Sequence, residues 1–120
     1  MKSNIHSTGT HIIADIWCKP NLLTKQDFLE HMLLEAVEAS GSTVLHSFFH
    51  VFSENDGITG ILALAESHIS IHTWPEYSFA AVDIYMCGQC FPEKALKKIE
   101  EYLVPEKMSV KRFHRGKSKN

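Results

Sequence analysis

The eleven residues Glu66-Ser67-His68-Ile69-Ser70-Ile71-His72-Thr73-Trp74-Pro75-Glu76 constrain the fold more than any other stretch of the chain. Ile69 and Ile71 alternate with Ser70 and His72, and a period of two marks a strand with one apolar and one polar face. Such a strand needs a sheet whose apolar side is covered. The alternation also restricts the chemistry. His68 and His72, four apart, point to one face of an extended strand and Ser67 to the other. One extended segment therefore cannot pair Ser67 with His72 unless the chain turns or bulges at Glu66-Ser67.

Ile58 to Ala65, before this run, reads as a mostly buried strand. The turn residues Ser53-Glu54-Asn55-Asp56-Gly57 join it to a β-rich segment from Thr43 to Phe52, which predicts a hairpin. Nearer the start, His11 to Cys18 reads as a strand ending at Lys19-Pro20-Asn21. Thr24 is placed to cap a helix, with Asp27 three residues on as a short-armed capping box. Phe28, Leu29, Met32, Leu33, Ala36 and Val37 give that helix an apolar stripe, and Gly41 stops it. After the break at Trp74 to Ser78, Phe79 to Cys87 is another strand. Pro92 suits the first turn of a second helix striped by Ala95, Leu96, Ile99 and Leu103, and Met108 to His114 is a last strand. This order predicts an α+β fold: a two-layer α/β sandwich, its sheet largely antiparallel, with two helices on one face. The other face is then left for a second subunit, so a homodimer is expected.

At 120 residues the chain is read as one domain, 1–120. A hydrophobic share of 44% with seven Phe excludes a disordered chain, while the apolar runs are too short to span a membrane. A formal net charge of -2 with scattered Lys and Arg carries no footprint for nucleic acid, and the basic run from Lys111-Arg112 to Lys119 reads as a solvated tail. The start, Met1 to Ile5, lacks an apolar signal segment, so a cytoplasmic protein with Cys18, Cys87 and Cys90 as free thiols is expected.

A serine beside histidines suggests acyl transfer, but Ser67 stands between Glu66 and His68 rather than in a G-x-S-x-G elbow. His50, His68 and His72 do not make a complete metal-ligand set, and none is expected. Cys87-Gly88-Gln89-Cys90 is a weak sign of thiol redox chemistry without the strand-to-helix context and an adjoining Trp and Pro. By composition alone Cys87 reads as a small buried hydrophobe at a strand end.

With Phe49-His50-Val51-Phe52 before it and Ala81-Val82-Asp83-Ile84-Tyr85-Met86-Cys87-Gly88 after it, the Glu66 to Glu76 run resembles the prokaryotic S-adenosylmethionine decarboxylases. The similarity extends from about His11 to Gly88. The resemblance implies a proenzyme that cuts itself between Glu66 and Ser67, the Ser67 hydroxyl attacking the preceding carbonyl. His72 would be the processing base, and Thr59 stands where the family commonly has an assisting serine. The implied cofactor is a pyruvoyl group derived from Ser67, which forms a Schiff base with the substrate and makes pyridoxal phosphate unnecessary. Cys87 would protonate the substrate α-carbon, Phe52 would stack on adenine, and Glu76 would accept hydrogen bonds from the ribose hydroxyls.

His68 would shape the pocket or help processing, and His11 and Asp15 would line the cleft. The implied substrate is S-adenosylmethionine, and the product is the aminopropyl donor for spermidine synthesis. The sequence departs from the family form by one extra residue between Phe52 and Gly57 and by an early end after Gly116. Two alternatives remain at this level: a pyruvoyl-dependent ornithine or arginine decarboxylase, and an unprocessed regulatory homologue.

Overall fold

The period-two segments form β1 (Gly9–Trp17), β2 (Val44–Val51), β3 (Ile58–Leu64), β4 (Ser67–Trp74), β5 (Phe79–Cys87) and β6 (Lys107–Arg115), and the striped segments form α1 (Gln26–Ser40) and α2 (Pro92–Leu103). The structure, a computed structural model, describes residues 8–117. Within them the strands make one sheet in the order β2-β3-β4-β5-β1-β6, with every neighbouring pair antiparallel. The two-layer α+β sandwich expected from the sequence is the fold observed.

Alternation decides which side of the sheet is covered. Ile12, Ala14 and Ile16 of β1, Ile69 and Ile71 of β4, and Ala80, Val82, Ile84 and Met86 of β5 are buried, as are Leu29, Met32, Leu33 and Ala36 of α1 and Ala95, Ile99 and Leu103 of α2. Gly60 on the same face of β3 leaves room for the Phe49 ring, which a Cβ at that position would strike. The opposite face carries exposed Phe48, Ile61 and Phe113 beside His72, Asp83 and Asp15.

Two local expectations are corrected. Thr24 does not cap α1: Lys25 is the N-cap, without a side-chain cap bond, and the Thr24 hydroxyl donates instead to the Asn21 carbonyl at 3.5 Å. Pro20–Leu22 forms a short 3-10 turn, and the Thr24 hydroxyl is directed back onto it. Lys111 and Arg112 do not belong to a solvated tail, because they lie in β6, where pairing with β1 extends the sheet. Lys119 lies outside the described residues, as does the start from Met1 to Ile5. The α1 terminus is as expected, with Gly41 left-handed at φ 83 and its N–H donated to the Glu38 and Val37 carbonyls.

Arg112 ties β6 to α2 through Glu93, with its Nη2 donating to Glu93 Oε1 at 2.8 Å. That hydrogen bond, from a guanidinium, holds the Glu93 carboxyl below its ordinary value. The stabilisation is therefore complete above the ordinary value of 4.5 and is lost as pH falls through the lowered one. Because both side chains are half exposed, Glu93→Gln should cost under about 1 kcal/mol at neutral pH and flatten the acid limb of the stability curve, as read by urea unfolding at several pH values. Ile71→Ala, which opens a cavity in the centre of the buried face, should cost about 2–5 kcal/mol in the same assay.

Candidate active site

The turn between β3 and β4 is tight, and it puts the chain under local strain at one residue. Ala65 donates its N–H to the Thr43 carbonyl at 3.0 Å, and Glu66 adopts the left-handed conformation at φ 67. A residue with a Cβ is disfavoured there, and the carbonyl it carries is the one that precedes Ser67. Ser67, half-buried, opens β4 and accepts a hydrogen bond on Oγ from the Cys87 backbone N–H at 3.1 Å. An N–H directed at this oxygen favours negative charge on it. Cys87 closes β5, and its Sγ lies 3.6 Å from Cys90 Sγ. The sheet has therefore brought Glu66, Ser67 and Cys87 to one end of β4.

A second cluster stands at the other end. Antiparallel register places Thr59 between His50 and His72, and Thr59 Oγ1 is 3.1 Å from His72 Nδ1. Both side chains line a cavity of about 310 Å³ with Phe52, Asn55, Thr73 and Trp74 among its other walls. Phe52 meets His50 edge-on, with ring centroids 4.6 Å apart. Asn55 Nδ2 donates to both Glu76 carboxylate oxygens, at 2.9 and 3.0 Å, while Asn55 Oδ1 accepts from the Gly57 N–H at 2.8 Å. Turn and carboxylate are thus held as one unit beside the cavity.

Two residues of this cluster were not singled out by sequence reasoning. Asn55 is legible only as a turn former, since its bond to Glu76 joins positions far apart in the chain. Thr73 is buried, donating Oγ1 to the Leu23 carbonyl at 2.9 Å and accepting the Ile58 N–H at 2.8 Å. A polar residue on the apolar phase of β4 is the signal that could have found it.

The two clusters do not meet within one chain. β4 runs unbroken from Ser67 to Trp74, and five strand steps separate Ser67 from His72 by about 17 Å. No turn or bulge shortens the path between them. His68 lies toward the Ser67 end, its ring centroid 5.9 Å from Tyr85 and 6.2 Å from His11. His11 Nε2 is in turn 3.8 Å from Asp83 Oδ2, and Asp15 shares the same open face opposite Ala81. His50 and His72 flank Thr59, whereas His68 belongs to a separate group.

This geometry defines a class: an α+β sandwich in which a serine follows a left-handed residue at a strand start and shares a backbone hydrogen bond with a cysteine at the end of the next strand. The sequence model described as S-adenosylmethionine decarboxylase matches residues 10–116. The chain is 46% identical over 110 residues to the S-adenosylmethionine decarboxylase proenzyme of Methanococcus maripaludis, covering 90% of this chain and 89% of that one. It is 38% identical over 113 residues to the proenzyme of the same name from Thermosipho melanesiensis, with 92% and 86% covered. The crystal structure of the adenosylmethionine decarboxylase from Aquifex aeolicus aligns with a TM-score of 0.84 at 32% identity, covering 92% of each chain. The chain belongs to the S-adenosylmethionine decarboxylase family.

The double role of Thr73 is open to test. Thr73→Val keeps the shape but leaves the Ile58 N–H and the Leu23 carbonyl without their partner, and it should destabilise the protein by about 1–3 kcal/mol in urea unfolding. Thr73→Ser should recover most of that loss.

Proposed function

We propose that this chain is a proenzyme of residues 1–120 that cuts itself between Glu66 and Ser67, and then decarboxylates S-adenosylmethionine at sites assembled from two copies. The observation that carries the reading is the left-handed Glu66 immediately before a serine whose hydroxyl receives the Cys87 N–H. Membership of the family favours the nucleoside substrate over ornithine or arginine. Among the described residues, no helix is long and apolar enough to cross a membrane, and the three free thiols suit the reducing cytoplasm where we place the protein.

In processing, Ser67 Oγ attacks the Glu66 carbonyl carbon, the peptide C–N bond breaks, and an ester replaces the amide with the Ser67 nitrogen released as an amine. A base then removes the Ser67 α-proton, and the Cβ–Oγ bond breaks with the Glu66 carboxylate as leaving group. Water finally displaces the nitrogen as ammonia. His72 is the base in this reading, with the Thr59 hydroxyl holding its Nδ1 side. A His72 about 17 Å along the same strand cannot reach Ser67, so the base comes from a second copy.

Packing the open sheet faces about a twofold axis, with the two β4 strands reversed, brings the Ser67 end of each β4 toward the other copy's His72. Phe48, Ile61 and Phe113 supply apolar surface for that contact.

Ser67 and the groups around it fit the pyruvoyl group, since the residue at the break is itself the precursor. When present, that group supplies a ketone and an adjacent carbonyl that take up the electrons released with carbon dioxide. Phe52 offers its ring to adenine and to the sulfonium charge, and Glu76, oriented by Asn55, accepts the ribose hydroxyls. His68, with Tyr85 and His11, shapes the pocket wall on the Ser67 side. Cys87 Sγ holds the proton that is delivered to the substrate α-carbon.

Complementation tests the assembled site. Ser67→Ala and His72→Ala should each remain a single uncut chain by intact mass, whereas co-expression should yield cleavage of the His72→Ala copy alone. Failure to cleave in the mixed dimer, while the unaltered chain cleaves, would refute a site shared between copies. Reductive trapping should then label the processed protein with S-adenosylmethionine and not with ornithine or arginine.

A further inference from the structure

We infer that Cys87 and Cys90 form a reversible dithiol–disulfide pair that small-molecule disulfides such as glutathione disulfide can oxidise, entering at Cys90. The two Sγ atoms are 3.6 Å apart, and the Cys90 N–H donates to the Cys87 carbonyl at 3.1 Å. That bond closes a four-residue turn, which brings the two Cα atoms within about 7 Å, close to the span of a bridge. The turn links the end of β5 to the start of α2 at Pro92, which gives Cys87-Gly88-Gln89-Cys90 a strand-to-helix setting. Gly88, inside the turn, is exposed, and a Cβ built on it would meet open space.

Both cysteines are partly exposed, and Cys90 also faces a cavity. Cys90, with Thr10, Phe91, Lys94, Arg112 and His114, lines a cavity of about 470 Å³. Glu93 lines the same cavity and pairs with Arg112, which leaves Lys94 as the cation there that suits an anionic thiol compound. Burial, followed by the neighbouring Cys87 thiol, raises Cys90 above its ordinary value, which slows exchange at neutral pH without preventing it. Cys18 takes no part: it is buried in the core, and burial, with Glu106, pushes it up to about 11.

The exchange balances in two displacements. The Cys90 thiolate attacks one sulfur of the small disulfide, forming a mixed disulfide and expelling one small thiolate. The Cys87 thiolate then attacks the Cys90 sulfur, forming the protein bridge and expelling the second. Two protein thiols are oxidised, one small disulfide is reduced to two thiols, and the protons lost by the cysteines end on the released thiols. A bridged Cys87 has no S–H to give to a substrate carbon, so the reaction stops until a thiol reductant reverses the bridge. This consequence rests on the decarboxylase reading, whereas formation of the bridge does not.

Native processed protein incubated with glutathione disulfide, alkylated and analysed by mass should lose two hydrogens from the segment after Ser67, with Cys87 and Cys90 both protected and Cys18 unchanged. Decarboxylation should be lost completely and return with dithiothreitol. Cys90→Ser, with Cys90→Ala as a second variant, should form no bridge and stay active in the oxidant. Cysteines that both remain alkylatable, or a glutathione adduct that never resolves to a bridge, would overturn the inference. A bridge with activity intact would support the pair and overturn the proton role given to Cys87.

Discussion

One-sided burial of a single antiparallel sheet is the constraint on which the rest of this structure depends. Ile69 and Ile71 of β4, between the matching apolar rows of β3 and β5, pack beneath α1 and α2 and exclude water from that side only. Once that face is committed, the phase of every strand is settled, because a slip of one residue would carry its apolar set to the wrong side. His72, Thr59 and His68 are thereby directed to the uncovered face, and Ser67 to the strand end.

The same rigidity accounts for the division of the chemistry. A strand is a poor device for bringing together residues five positions apart, yet it is a good one for aligning residues on neighbouring strands. The sheet therefore pairs Thr59 with His72 and Ser67 with Cys87, and it keeps the two pairs at opposite ends of β4. In the proposed processing reaction a twofold partner with reversed strand direction would make this division productive, and the uncovered face is the surface offered for it.

The phase of β4, the two helical stripes and the Gly41 stop were legible in the sequence, because each depends on residues close together in the chain, whereas β3, read as mostly buried, exposes Ile61 and Ala63 on alternate positions. Thr24 misled because its hydroxyl had a competing acceptor in the Pro20–Leu22 turn, and helix capping propensity is too small to override such a local choice. Lys111 and Arg112 carried two readings, a last strand from Met108 to His114 and a basic tail, because edge strands tolerate charge, and pairing with β1 decides for the strand. Asn55 and Thr73 were missed for a common reason: their partners, Glu76 and the Leu23 carbonyl, come from distant segments.

The sequence by itself determined the class of fold, the apolar phase of β4 and the stripes of the two helices, since periodicity is a local property, while the Glu66-Ser67 bond was singled out by the family resemblance. Tertiary structure decided the left-handed backbone at Glu66, the hydrogen bond from Cys87 to Ser67, the 3.6 Å approach of Cys87 and Cys90, and the separation of Ser67 from His72. Those features follow from the lengths of turns and the register of strands, which arise when the whole sheet closes over its core and which no short window of residues contains.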